Sequence, residues 1–236
     1  MNKYKLQTTT IWSFPDRGNW STHKGDYRGN WSPHIPKNLI LKYTKQGDTV
    51  LDCFLGSGTT AIECKLLNRN SIGIDINPTA INISKQRLKF STNNFSKHTQ
   101  YLGDARMLNM LENNSIDFIC THPPYADIIK YSKNIECDIS LLEFSDFLDE
   151  LRNVAIELFR VLKPGHICSF MIGDIRKCGN VIPLGFLAMK IFQDSGFKLK
   201  EIIIKEQHNC KSTAYWENKN INFYLLAHEY IFILLK

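Results

Sequence analysis

The sequence has no CxxC pair, no apolar run long enough to cross a bilayer, and neither a Gly-Lys-Ser/Thr phosphate loop nor a GxGxxG fingerprint. Each absence excludes something. Seven cysteines, an odd number, are scattered from Cys53 to Cys210 without zinc-ligand spacing. That argues against a disulfide scaffold and against a metal site. With no secretory signal, the thiols read as reduced and the expected compartment is cytoplasmic. A spanning helix needs about 20 apolar residues, so no membrane partner is expected. The missing glycine patterns point away from nucleoside triphosphates and dinucleotides. No repeat, linker or low-complexity tract interrupts the chain, so residues 1–236 are expected to form a single domain.

What is present is ordinary in bulk and uneven in distribution. The 43% hydrophobic content suits a globular α/β domain with a real core. The net charge of +6 sits almost wholly in residues 1–50, where Lys3, Lys5, Arg17, Lys24, Arg28, Lys37, Lys42 and Lys45 face Asp16, Asp26 and Asp48. The same segment holds Trp12, Trp20 and Trp31. Residues 1–36 read as an irregular arm. Cations mixed with aromatics can hold a phosphate backbone and stack on bases. The alternative is a solvated basic arm whose tryptophans pack on the domain.

After a short helix in "PKNLILKYT", strands and helices alternate: "TVLDC", "TAIECKLLN", "SIGID", "NPTAINISKQRLKF", "TQYLGDA" and "SIDFIC". A long helix over Leu142–Leu162 is expected to stop at Lys163-Pro164-Gly165, followed by "HICSFMIGD" and a helix closed by Gly196. This alternation predicts a parallel sheet with right-handed crossovers. The last two strands, "FKLKEIIIKEQ" and "NFYLLAHEYIFILLK", have no helix between them and should pair antiparallel.

Open α/β sheets bind ligands beyond the carboxyl ends of their strands. Four clusters fall there. Asp52 precedes "FLGSGTT", where Gly56 and Gly58 let backbone approach a ligand at a helix N-terminus. Asp75 ends the second strand 23 residues later, placed to bind ribose hydroxyls. Gly103-Asp104 follows the third strand and reads as an adenine contact or a plain turn. The fourth is "THPPY", Thr121–Tyr125, two prolines where a strand should continue. A nucleoside site without a phosphate grip favours S-adenosylmethionine over a nucleotide.

The set "VLDCFLGSGTT", "GIDINP", "GDA" and "THPPY", with "HIPKNLI" upstream, resembles the amino-methyltransferases of DNA, which modify cytosine N4 or adenine N6. The resemblance runs from about Trp12 to the C-terminus. It implies a seven-stranded, Rossmann-like methyltransferase sheet, mostly parallel with an antiparallel C-terminal strand. It also implies S-adenosyl-L-methionine as cofactor, double-stranded DNA as partner, and a restriction-modification or phage context with a cognate endonuclease. A monomer or a homodimer would serve. By the same resemblance Asp52, Phe54, Gly56, Gly58 and Thr59 surround the methionine moiety. Asp75 holds the ribose and Asp104 the adenine, while Asn30, Ser32 and His34 close the site.

His122, Pro123, Pro124 and Tyr125 form the expected catalytic turn. An exocyclic amine is a poor nucleophile until acceptors localise its lone pair, and a rigid turn can aim them. Tyr125 can stack on a flipped base. His122 stands where related enzymes usually carry Asp or Ser; a neutral imidazole accepts through one nitrogen and donates through the other. The stretch "ADIIKYSKN" after the turn reads as a lid over the flipped base or as the lead into the long helix. Thr121 tilts the expectation toward cytosine N4, with adenine N6 as alternative. RNA as substrate and a degenerate, non-catalytic nucleic-acid binder are the other readings. Cytosine C5 chemistry is disfavoured because the chain has no Pro-Cys. The DNA contacts are expected from Arg17, Trp20 and Arg28 in the arm and from His208, Asn209, Lys211 and Trp216 in the loop 207–220; the alternative there is a long hairpin loop with a packed tryptophan.

Overall fold

In the computed structural model, residues 4–126, 132, 135–210, 215, 216, 219 and 221–236 are described. The apolar runs of the sequence become the centre of one mixed sheet. Its strands are β1 (Ile11–Trp12), β2 (Thr49–Asp52), β3 (Asn70–Asp75), β4 (His98–Leu102), β5 (Ile116–Thr121), β6 (Leu162–Ile172), β9 (Lys198–Glu206) and β10 (His228–Leu235); β7 (Ile175–Lys177) and β8 (Asn180–Ile182) form a separate antiparallel hairpin. The sheet order is β1-β9-β10-β6-β5-β2-β3-β4. The neighbours β6-β5-β2-β3-β4 pair in parallel, and β10 runs antiparallel to both β6 and β9. The expected seven strands are therefore present with the expected antiparallel C-terminal strand. An eighth is added, because Ile11–Trp12 of the arm pairs in parallel with Ile204–Lys205.

Alternation along each strand sends side chains to opposite faces. Val50, Phe118, Cys120, Ile231 and Ile233 pack with Trp31, Ile35 and Leu39. Their neighbours Leu51, Ile119, Phe170 and Phe232 pack with Leu151, Leu158 and Ala188. Helices α1 (His34–Tyr43) and α2 (Thr59–Leu66) thus cover one face, and α4 (Phe144–Val161) and α5 (Leu184–Asp194) the other. Helix α3 (Pro78–Arg87) lies beside α2, which it meets through Ile81 packed with Ile62. On α4 the buried residues Phe147, Leu151, Val154, Ala155, Leu158 and Val161 recur every three or four positions, one apolar stripe.

Two boundaries differ from the sequence expectation. Helix α4 ends at Val161, before Lys163-Pro164-Gly165, but the strand expected from His166 already starts at Leu162. Leu162 already pairs with Ile116, and residues 163–166 bulge out before Ile167 pairs with Phe118. Gly165, at φ +75°, allows that bulge. The last strand starts at His228, later than the apolar run suggests.

The topology positions the site. Parallel strands β2, β3, β4 and β5 deliver Asp52, Asp75, Asp104 and His122 to one edge of the sheet. Strand β9 ends at that edge too. Because β10 runs the other way, its beginning lies there, and Glu229 pairs in register with Lys205.

Candidate active site

Two cavities open at this edge and share Gly29, Asn30, Trp31 and His122 as a common wall. The first encloses about 820 Å³, counted to its open mouth, and is lined by Asp52, Phe54, Gly56, Asp75, Asp104 and Asn30 among others. The second is a broader cleft of about 2180 Å³ on the same measure. Tyr125, Arg17, Arg176, Lys205, His208 and Trp216 line it.

The glycine-rich turn builds the floor of the first cavity. Gly56 and Gly58 adopt φ +52° and +88°. A Cβ on Gly58 would lie 2.4 Å from Ser84 Oγ, so only glycine lets α2 start this close to α3. Asp52 is 4% exposed and accepts from Thr60 Oγ1 (2.6 Å), Thr121 Oγ1 (2.8 Å) and the Phe54 amide (3.2 Å). Burial still pushes its carboxyl up to about 6, against the pull of those bonds. Asp75 accepts from the Gly56 amide (2.7 Å) and the Asn77 amide (2.9 Å), while burial raises its pKa. Asn77 caps α3 through Thr79 N, with Pro78 following.

The arm closes the cavity from above. Asn30 Oδ1 accepts from Ser57 Oγ and Thr59 Oγ1, both at 2.9 Å, tying the arm to the glycine turn. Thr59 therefore acts on the turn through Asn30. Asp104 reaches the wall, but its carboxylate is held by Arg106, with Nε–Oδ1 at 2.9 Å and Nη2–Oδ2 at 2.6 Å. An arginine two residues on was the only trace of that clamp in the sequence.

The turn after β5 sits where the cavities meet. Pro123 and Pro124 are buried. His122 stacks on Trp31 with ring centroids 5.4 Å apart at 16°. Its Nε2 lies 3.0 Å from Tyr125 Oη, and Tyr125 Oη donates to Glu229 Oε1 at 2.6 Å. Glu229 Oε2 in turn accepts from Lys205 Nζ at 2.9 Å. Burial pushes the His122 imidazole down to about 4, although the Glu229 carboxylate pulls the other way. Burial works to raise the Glu229 carboxyl, but Lys205, His122 and the bonds from Tyr125 and Lys205 hold it below the usual glutamate range. Glu229 and Lys205 were missed from the sequence; the signal for Glu229 was an acid at the start of an otherwise apolar strand.

Thr121 is 1% exposed with its hydroxyl spent on Asp52. The residue that tilted the reading toward cytosine N4 thus lines neither cavity.

Other expected residues divide. Arg28 is exposed at the rim of the first cavity. Arg17 lines the cleft, yet its Nη2 donates to the Trp31 carbonyl at 2.9 Å, and burial lowers its pKa. Ser32 lines the cleft and bonds the Arg17 carbonyl at 2.7 Å. His208 bonds Ser13 Oγ at 2.9 Å, Asn209 sits beside it at φ +56°, and Trp216 meets Phe223 edge-on; all three line the cleft. Lys211 lies outside the described residues, as does most of the 126–134 segment expected to form a lid or a helix lead. Trp20 and His34 line neither cavity. Trp20 Nε1 donates to the buried Glu63 at 2.6 Å, where His23 Nε2 also bonds at 2.7 Å. His34 stacks on Phe14 at 4.9 Å and bonds Tyr4 Oη at 3.0 Å. Trp12 and Trp31 are 3% and 6% exposed. The arm's tryptophans pack on the domain, as the alternative reading had it. No group of three or more metal-ligating side chains occurs among the described residues.

The chain is similar to known proteins in sequence and in fold. Over 93 residues the chain is 39% identical to Type II methyltransferase M.BglI of Bacillus subtilis, and over 94 residues 49% identical to Type II methyltransferase M.HpaI of Haemophilus parainfluenzae. These segments are 38% and 37% of this chain, and only 27% and 28% of those relatives. Among solved structures, a SAM-dependent methyltransferase from Methanosarcina mazei superposes with a TM-score of 0.59 at 17% identity, over 84% of this chain and 96% of that one. TrmN from Thermus thermophilus gives 0.59 at 18%, over 89% of this chain and 50% of that one. Such likeness shows the fold. A family profile of DNA methylases matches residues 1–86 and 116–236, most of the chain, and the protein belongs to that family.

Proposed function

We propose that this protein transfers a methyl group from S-adenosyl-L-methionine to the exocyclic amine of a base flipped out of double-stranded DNA. The observation that carries the reading is the meeting of two unlike cavities at His122: one acid-lined, one lined by cations and aromatics.

The first cavity fits the cofactor by the chemistry of its donor set. Asp75 is placed for the ribose hydroxyls, with Gly56 N already fixing one of its oxygens. A Cβ on Gly56 would meet Tyr27 at 3.3 Å, so the turn leaves the cavity its width. Asp52, Phe54 and the turn through Gly58 and Thr59 form the end suited to the methionine moiety. Its cationic sulfonium and ammonium suit a wall with buried carboxylates. When bound, the cofactor supplies an electrophilic methyl group. Asp104, clamped by Arg106, offers an acceptor edge to the adenine amine. Asn30 closes the site, with Ser32 and His34 holding the arm behind it.

The protein's own residues prepare the amine. The buried prolines fix the turn, so backbone and His122 acceptors face one place. Tyr125 offers a ring to the base, held by Glu229. Duplex contacts fall to Arg28 at the rim of the first cavity and to His208, Asn209 and Trp216 along the cleft, with Arg17 and Trp20 bracing the arm; Lys211 is a further candidate on its residue type alone. An endonuclease reading the same site is the cellular partner proposed with it.

The test is incubation with methyl-labelled S-adenosylmethionine and a mixture of DNA and RNA, followed by digestion to nucleosides and mass identification. Label in N4-methylcytosine or N6-methyladenine from DNA is the expected result and names the base. Label only in RNA, or in no nucleoside, overturns the proposal.

A further inference from the structure

The contacts around His122 run in one direction. Tyr125 has a single hydroxyl hydrogen, and its 2.6 Å contact gives that hydrogen to Glu229 Oε1. The 3.0 Å contact with His122 must then be made by an Nε2–H donating to the Tyr125 oxygen. In the neutral ring this leaves Nδ1 with a lone pair. Lys205 fixes the far end by holding Glu229 Oε2 at 2.9 Å. Steadying the Tyr125 ring does not by itself require a buried acid on β10. A glutamate 8% exposed in a strand of Tyr, Ile, Phe and Leu is costly unless paired, and here its partners are Lys205 and the catalytic turn.

We propose that Glu229 is a positioning residue: through Tyr125 it directs the Nε2 hydrogen of His122 and leaves Nδ1 to take the proton that the base amine releases. The inference rests on the amine-methylation reading above. The amine nitrogen forms a bond to the methyl carbon, the carbon–sulfur bond breaks, and its electron pair stays on sulfur. The methylated nitrogen then carries a hydrogen too many. Its lone pair otherwise belongs to the ring, so in this state it is a strong acid, and a weak base suffices. The proton passes to Nδ1. The resulting imidazolium keeps its Nε2–H on Tyr125 and gains the Gly29 backbone, whose hydrogen bond favours the protonated ring. Glu229 offsets its charge until the proton leaves through the cleft.

The charged groups acting on His122 are Glu229 on β10, which favours the protonated ring, and Lys205 on β9, which opposes it. Asp174 and His228 line the same cleft, but both bond Tyr230 Oη, at 3.1 and 3.0 Å.

The experiment is single-turnover methyl transfer to DNA across pH 4–9 for wild type, Glu229→Gln, Tyr125→Phe, the double variant and Lys205→Met. Cofactor affinity of each serves as the check on folding. Glu229→Gln should slow transfer at least tenfold with cofactor affinity within about twofold, and take the wild-type acid limb, already near pH 4, out of the measured range. Lys205→Met should shift that limb upward, because a cation opposing the imidazolium is gone. Adding Glu229→Gln to Tyr125→Phe should cost little more, since the link is already cut. Wild-type rate and profile in Glu229→Gln, or losses that simply multiply in the double variant, overturn the inference while leaving DNA methylation intact. Wild type that labels no DNA overturns the underlying reading and this one with it.

Discussion

The two cavities are built by different means. The walls of the first come from short contiguous motifs at the ends of neighbouring parallel strands: Asp52 through Gly56, Asp75 through Asn77, and Asp104 with Ala105. Its polar groups satisfy one another before any ligand enters, through backbone amides and hydroxyls two to eight residues away or one strand over. The cleft is assembled from distant pieces: the arm, the Pro-Pro turn, the end of β6, the β7–β8 hairpin, the end of β9, residues of the β9–β10 connection such as His208 and Trp216, and the start of β10. Its key bond, Tyr125 to Glu229, spans 104 residues. A cavity made of local motifs is pre-shaped by backbone geometry. One made of distant pieces depends on sheet topology, and single side chains there carry more of the specificity.

The largest effect should come from the cleft side of the turn where the two cavities meet. Tyr125→Ala removes a ring facing the cleft and the link to Glu229. Transfer should fall about 100-fold or more, while cofactor affinity stays within a few-fold. Equal loss of cofactor binding, measured by calorimetry, would mean that the turn shapes the first cavity and that the two cavities are not separately built.

Next is the backbone of the first cavity. Gly58→Ala places a Cβ against Ser84 at a φ that side chains rarely adopt. The expected cost is about 2 kcal/mol of stability, read from urea unfolding. Ser84→Gly should restore part of it by removing the clash but not the φ strain. A neutral Gly58→Ala would show that the turn is softer than its geometry implies.

The first cavity was readable from sequence because its signals were residue types at fixed offsets from strand ends. Asp52, the glycines, Asp75 and Asn77 all lie where strand-end reasoning places them. The Pro-Pro turn was readable for the same reason. Tertiary effects were not. Arg106 clamps Asp104, Thr121 turns inward to Asp52, and Trp20 is drawn onto Glu63, each a choice among partners that spacing leaves open. Strand β1 is two residues long and owes its existence to the free edge of β9. Glu229 is at the site only because β10 runs antiparallel.

Asp52 allows a subtler test of the pre-shaped cavity. Its folded pKa of about 6 lies above the ordinary aspartate value of 3.8. The folded state therefore holds this proton more tightly than the unfolded chain, and the contribution to stability, present at low pH, is lost as pH rises through about 6. A bound cation acts oppositely by favouring the carboxylate. Cofactor affinity should thus weaken about tenfold from about pH 7 to about pH 5, measured by calorimetry, and Asp52→Asn should flatten the dependence. An affinity that is level in wild type would place the cofactor's positive charge away from Asp52.

The smallest effect separates the two arginines of the arm. Arg17 and Arg28 were expected to act alike, yet Arg17 is spent on the Trp31 carbonyl while Arg28 is exposed at the cavity rim. A phosphate contact contributes about 0.9 to the slope of log affinity against log salt. Arg28→Ala should reduce that slope by about one and weaken DNA binding a few-fold at low salt, equally for all sequences. Its melting temperature should not move. Arg17→Ala should do the reverse, because it unfastens the arm: lower stability with little change in slope. The pair of variants measured side by side by fluorescence anisotropy and thermal melting decides whether the arm meets DNA by its exposed cation or only frames the site.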